Sequence, residues 1–552
     1  VLTPTVRAAD PSPAPGTAGR AEQPPRLVLL IVIDQFRADL LTRFDAHYGD
    51  GGFRRLRAHG ATYLNAHFSY ASSATAPGHA TIGSGRLPRH HGIIGNEWHR
   101  DESDGKSRPA THDGEARYVG VDGDDDGARS PRMLLGASLS DSMKLADQRS
   151  RVHSVAMKDR AAIFTAGRAA DAAYWWHEST GRFITSTYYR AELPPYVKAF
   201  NDAKPADRYQ GETWSKLLPD EAYANTWPMT EEWAPNLAKR GAAFPHELPQ
   251  INPDKPQDYY VSLYHTPFAN QLVFDLAKAV LDAEQLGRGP AVDMLVVGLS
   301  ANDIIGHAYG PESAEVMDTM LRTDRMLAEF LNHVDRTVGL SRCVIALTGD
   351  HGVTTNPHLA REVRAETGRV DGKKLIAGLE EALRAVAPAD ASGGKLVRGL
   401  KMPWIYCDPQ MAQLDAATGG GLSKAGVEYL RSQSGVANAF ARADLAGPPP
   451  LADDAFRRLG WRCYHPQRSG DFLLQLEPMW YMQGGDAAGH GAGFRTDRHV
   501  PIVLTGPRVR PGTYYTPSDP VDIAVTIAAL LGIEPPAEAD GRVLHEGMSD
   551  AP

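Results

Sequence analysis

The apolar, β-branched run LVLLIVI ends abruptly at Asp34 and gives way to a helical pattern in QFRADLLTRF, so a buried strand is followed by a helix. The same switch recurs. ATYLNAHFSYASSA reads as a strand or turn that delivers Thr75, and GHATIGSGRLPRHHG continues as a helix broken by glycines and a proline. RVHSVAMKDRAAIF is strand-like with a polar end, while AVDMLVVGLSANDIIGHAYG and SRCVIALTGDHGVTTN each read as strand, loop and helix or turn. Near the end of the chain RHVPIVLTGPRV is a strand, and DPVDIAVTIAALLG is an amphipathic helix that stops at Gly532 and Pro535. Strands alternating with helices predict an α/β fold with a mostly parallel central sheet flanked by helices.

Two stretches interrupt this rhythm. Residues 186–270 are rich in Tyr, Trp, Pro and charge, and residues 360–475 carry a helix pair and polar loops. Both are expected to be inserted cap segments beside one catalytic domain spanning residues 27–552. Residues 1–26 are Pro-, Ala- and Gly-rich and aperiodic, which suits a disordered leader or a tail left by a removed signal sequence. That composition points to a periplasmic or secreted protein.

The net charge of −9 argues against a nucleic-acid duplex or an anionic membrane as partner. No run reaches the roughly 20 apolar residues of a membrane span. Cys343 lies in an apolar run and reads as a packed core thiol, whereas Cys407 and Cys463 leave one disulfide open. Nothing in the pattern advertises a dimer surface, so a monomer is expected.

Five short segments carry residues of metal-ligand type. They hold Asp34, Thr75, Asp303 with His307, Asp350 with His351, and His490. Three of them, those with Asp34, Asp303 and Asp350, follow an apolar run directly, where an open α/β sheet places its ligands. Each residue has an ordinary alternative. Asp34 suits a helix cap, Thr75 an N-cap before Pro77, Asp303–His307 an i, i+4 pair, and His490 a loop histidine between glycines. As a set they offer four oxygen donors and three imidazoles, which suits two borderline cations such as Zn²⁺.

The ordered motifs Asp34, TAPGH, DIIGH, GDHG and GHG resemble the alkaline phosphatase superfamily over nearly all of residues 27–535. The resemblance implies an α/β sandwich with two Zn²⁺ ions. One would be held by Asp303, His307 and His490, and the other by Asp34, Asp350, His351 and the nucleophile Thr75. TAPGH has no Cys or Ser nucleophile and Gly78-His79 where an Arg would stand, which disfavours a sulfatase. Asn96 in GIIGNEWH resembles the Asn of nucleotide pyrophosphatases and phosphodiesterases. Lys158 and Arg160 in AMKDRAAI resemble the Thr-nucleophile, phosphate-monoesterase branch of bacterial alkaline phosphatases, although the pair alone reads as a solvated strand end.

A monoester dianion has three non-bridging oxygens and a diester two, so extra donors favour the monoester. The expectation is therefore a zinc-dependent alkaline phosphatase acting on small phosphate monoesters through a phosphothreonine intermediate, with Thr75, Asn96, Lys158 and Arg160 as its catalytic groups. A type I phosphodiesterase or nucleotide pyrophosphatase is the alternative within enzymes. An inactive zinc- or phosphate-binding protein is the alternative outside them.

Overall fold

The computed structural model describes residues 24–100, 106–122, 127–227, 241–388, 394–484 and 486–549. The leader expected over residues 1–26 falls outside the described residues as far as residue 23. The strands that matter here are β1 (Leu27–Ile33), β2 (Gly60–His67), β3 (Tyr118–Val119), β4 (Val152–Ala156), β5 (Ala172–His177), β6 (Arg182–Ser186), β7 (Asp293–Leu299), β8 (Cys343–Gly349), β9 (Val397–Lys401), β10 (Trp404–Cys407), β11 (Val436–Ala441), β12 (Phe472–Leu476), β13 (His499–Thr505) and β14 (Gly512–Tyr514). The helices are α1 (Thr75–Ser84), α2 (Asp159–Ala166), α3 (Phe268–Ala283), α4 (Ala301–Tyr309), α5 (Ala314–Thr337), α6 (Gly372–Val386), α7 (Gly421–Arg431) and α8 (Asp522–Leu531).

Ten strands form the main sheet in the order β14-β2-β13-β8-β1-β7-β4-β5-β6-β3. The central run β8-β1-β7-β4-β5 is parallel, as the sequence pattern predicts. The flanks are mixed: β13 runs antiparallel to both β8 and β2, and β6 antiparallel to β5 and β3.

All seven side chains of β1 are buried. Leu27, Leu29, Ile31 and Ile33 enter one core with α3 and α5, and Val28, Leu30 and Val32 enter another with α1, α2 and α8. That two-faced burial explains why β1 reads as an unbroken apolar run rather than an alternation. Each such side chain stabilises the fold by about 1.5–3 kcal/mol relative to exposure, so the strand's position is tightly fixed.

The two interrupting stretches behave differently. Among the described residues of 186–270, Trp214, Tyr223, Tyr259, Tyr260 and Tyr264 pack onto the α3–α5 core. Residues 360–475 build a separate antiparallel sheet, β9-β10-β12-β11, with its own core against α6 and α7. The three cysteines are buried free thiols, so the disulfide left open for Cys407 and Cys463 is not formed. No helix among the described residues is long and apolar enough to cross a membrane.

Candidate metal centre

Register builds the centre. Ile33 pairs with both Leu299 and Gly349, so β1, β7 and β8 end level with one another. The next residues are Asp34, the Ser300 turn into α4, and Asp350. Gln35 takes a φ of 61°, which swings the chain off the sheet edge after Asp34. Its N–H and that of His351 both donate to Asp350 Oδ1 at 3.0 Å. Asn302 Nδ2 donates to the Asp34 and Gln35 carbonyls at 3.0 and 3.1 Å, tying α4 to the same edge. Asp303 and His307 share one face of α4, with Nε2 3.3 Å from Oδ1.

Two groups of donors converge. In one, the ligand atoms of Asp34, Asp350 and His351 lie within 4.8 Å of one another; in the other, those of Asp303, His351 and His490 do. His351 thus stands within reach of both groups, with its ring stacked on His490 at a centroid distance of 3.8 Å. His307 stands beside the second group, its ring 5.0 Å from that of His490.

The histidines are oriented for metal ligation. Nδ1 of His307, His351 and His490 faces the carbonyls of Ala488, Gly352 and Ser73 at 3.0, 2.8 and 2.7 Å. A carbonyl only accepts, so each Nδ1 carries a proton and each Nε2 is the atom turned to the centre. Asp34 Oδ1, Asp350 Oδ2 and His351 Nε2 are buried without a hydrogen-bond partner. Buried polar atoms left in this way are rare in folded proteins, and together they fit cations.

Lys158 is the cation that the chain itself supplies. Its Nζ lies 2.6 Å from Asp34 Oδ2 and 2.5 Å from Asp303 Oδ2, bridging the two groups. Burial opposes the ammonium, yet Asp303 and Asp34 hold its pKa above the ordinary range. Burial and Asp303 push the Asp34 carboxyl up, but Lys158 and His351 hold it below its usual value. Burial likewise works against His351, and Asp350 and Asp34 raise it to about 9. Burial, His351 and His307 keep His490 well below the ordinary imidazole value.

Thr75 begins α1, and the N-cap is Ala74 rather than Thr75, so the threonine is not spent on capping. Its Oγ is 3.5 Å from Lys158 Nζ. Asn96 Oδ1 accepts from the Ala76 N–H at 2.8 Å, which fixes the amide and leaves the Nδ2 hydrogens as donors. Lys158 is the residue before α2 and Arg160 lies in its first turn. The Lys158 side chain is 5% exposed, which removes the reading as a solvated strand end. Arg160 Nε is buried without a partner, and the nearest carboxylate to its guanidinium, that of Asp159, is 3.7 Å away.

Several residues here carried no assignment from the sequence. Gln35 Nε2 donates to Asp303 Oδ1 at 2.8 Å. His79 Nδ1 sits 2.9 Å from the Thr75 carbonyl and 3.2 Å from Asp350 Oδ2. Gly78 explains the small residue in TAPGH, because a Cβ there would overlap the Asp350 backbone. Only the place of Gly78 and His79 inside TAPGH marked them in advance; Gln35 becomes visible through its positive φ.

Paired carboxylate and imidazole groups beside a hydroxyl at a helix N-terminus are what bimetallic hydrolases build at strand ends. Comparison with known proteins narrows that class. A family model described as type I phosphodiesterase / nucleotide pyrophosphatase matches residues 28–492. A Myroides odoratus protein named calcium-transporting ATPase is 33% identical over 534 residues, covering 95% of both chains. Alkaline phosphatase PhoV of Synechococcus elongatus is 32% identical over 538 residues, 97% of this chain and 94% of that one. The crystal structure of wild-type alkaline phosphatase PafA matches with a TM-score of 0.84 and 30% identity, covering 96% of this chain and 100% of that one. The chain belongs to the alkaline phosphatase superfamily, among the relatives of the PafA and PhoV type and of the type I phosphodiesterases.

Proposed function

We propose that the chain is a zinc-dependent alkaline phosphatase that hydrolyses small phosphate monoesters through a phosphothreonine at Thr75. The observation that carries this reading is Lys158, buried between Asp34 and Asp303 with its ammonium 3.5 Å from Thr75 Oγ. A cation at that point, with Arg160 two residues on, suits the third non-bridging oxygen that a monoester has and a diester lacks.

Three imidazoles among the donors favour zinc over magnesium. Zinc, when bound, supplies Lewis-acid charge that acidifies a hydroxyl and neutralises phosphoryl oxygens. The chain's own groups do the rest. Thr75 Oγ forms a bond to phosphorus while the bond to the alcohol oxygen breaks, and the alcohol leaves with a proton. The dipole at the N-terminal end of α1 favours the developing negative charge. Asn96 Nδ2, Lys158 and Arg160 hold the phosphoryl oxygens. Water then adds to phosphorus, Thr75 regains its proton, and phosphate departs.

The diesterase alternative draws on the description of the matching family model. The rates kcat/KM on an aryl phosphate and on its methyl diester, measured on zinc-loaded protein, separate the two. A larger value for the monoester supports the phosphatase, and a larger value for the diester replaces it. No turnover of either would leave a binding protein. Export to the periplasm or the medium belongs to the same reading and rests on the composition of residues 1–26. Activity found only in the cytosolic fraction of the native cell would refute it.

A further inference from the structure

A cleft of about 320 Å³ opens beside the nucleophile. Its inner end is Ser73 and Ala74, which lead into Thr75, together with Asn96 and His490. Its other wall comes from Leu400 and Lys401 at the end of β9 and from the turn Met402–Pro403 that leads into β10. Lys401 Nζ reaches across to Glu97 Oε1 at 2.5 Å, and Ser107 Oγ donates to the other oxygen of Glu97 at 3.0 Å. Lys401 and Glu97 thus pair with each other at the partly exposed rim of the cleft. What this wall offers an occupant is the partly exposed apolar side chains of Leu400 and Met402.

We propose that this cleft is the leaving-group subsite, and that it selects small, uncharged alcohols with an apolar face, aryl groups above all. The proposal rests on the monoesterase reading of the adjoining centre. An ester held with its phosphoryl group against Asn96 must project its organic part into adjacent open space, and this cleft shares Asn96 with the phosphoryl site. Its volume sits at the small end of the roughly 300–1,000 Å³ typical of ligand sites, which suits a single ring rather than a polymer. Leu400 and Met402 are specificity-determining residues here and take no part in the chemistry. A charged alcohol gains no partner unless Lys401 leaves Glu97.

The test compares phenyl phosphate with methyl phosphate in the zinc-loaded full chain, in the parent, in Leu400→Ala with Met402→Ala, and in Met402→Leu. Dividing variant by parent for each substrate cancels their different intrinsic reactivities. The double variant should lose about 10-fold in kcat/KM on phenyl phosphate, the low end for lost apolar contacts. Methyl phosphate, which is too small to reach the turn, should change by less than about twofold, and so should inhibition by inorganic phosphate. Met402→Leu conserves volume and should behave like the parent. Equal losses on both substrates, or no loss on phenyl phosphate, overturn the subsite while leaving the monoesterase reading intact. Failure of the parent to turn over either ester overturns both.

Discussion

Gln35 donates from Nε2 to Asp303 Oδ1 at 2.8 Å, while its own N–H donates to Asp350 Oδ1 at 3.0 Å. One residue thereby orients a carboxylate from each donor group. Groups that orient ligands in this way change metal affinity about 10- to 100-fold when removed. Gln35→Ala should accordingly bind zinc more weakly by that factor, read from competition with a chromophoric chelator. Unchanged affinity would mean that Asp303 holds its rotamer without the amide.

Gly78 lets α1 approach the Asp350 backbone, which a Cβ would overlap. Gly78→Ala should destabilise the protein by about 1–3 kcal/mol, the usual cost of forcing a methyl into a packed site. Urea unfolding of the metal-free protein gives the number. Metal content should fall alongside it, because the atom displaced belongs to Asp350.

Lys158 and Arg160 should matter more for monoesters than for diesters. A charge-assisted hydrogen bond contributes roughly 1.5–3 kcal/mol, so each lost contact should cost on the order of 10- to 100-fold in monoester kcat/KM. The double variant Lys158→Ala with Arg160→Ala should show a smaller monoester-to-diester ratio than the parent. Equal losses on both classes would assign the pair to general phosphate binding or to the fold.

His153, 1% exposed in β4, has no hydrogen bond on either ring nitrogen, and its Nε2 is 3.9 Å from Glu284. Burial, only partly offset by Glu284 and Asp171, pushes its pKa down to about 4. The folded state thus prefers neutral imidazole. The stability this contributes is complete above the unfolded value of about 6.5 and is lost as pH falls towards 4. By pH 5 the loss should be about 2 kcal/mol. The drop in unfolding free energy between pH 7.5 and pH 5 should be smaller by that amount in His153→Gln; an identical drop would place the acid sensitivity elsewhere.

The centre was legible in the sequence because its carboxylates end buried strands. A strand covered on both faces is a nearly continuous apolar run; Asp34 follows LVLLIVI directly, and Asp350 follows CVIALTG, in which only the buried Thr348 is polar. Register was not legible. That His351 stands within reach of both donor groups follows from β1, β7 and β8 ending level, which no local pattern states. The four-stranded sheet β9-β10-β12-β11 leaves little trace in the sequence because its strands are four to six residues long and one of them, VRGLK, is fully buried only at Val397. Short strands without alternation carry too little signal to separate from loops. The role of Gln35 depends on a left-handed backbone that its side chain does not advertise.

The covalent step at Thr75 is tested most directly by trapping it. Zinc-loaded protein would be quenched in acid during steady-state turnover of an aryl phosphate, digested, and the peptide containing TAPGH weighed. The expected result is a peptide heavier by one phosphoryl group, with the modification on Thr75 and none in Thr75→Ala, whose turnover is nearly abolished. An unmodified peptide from an active enzyme, together with near-parental turnover in Thr75→Ala, would contradict the phosphothreonine and make water the direct attacker.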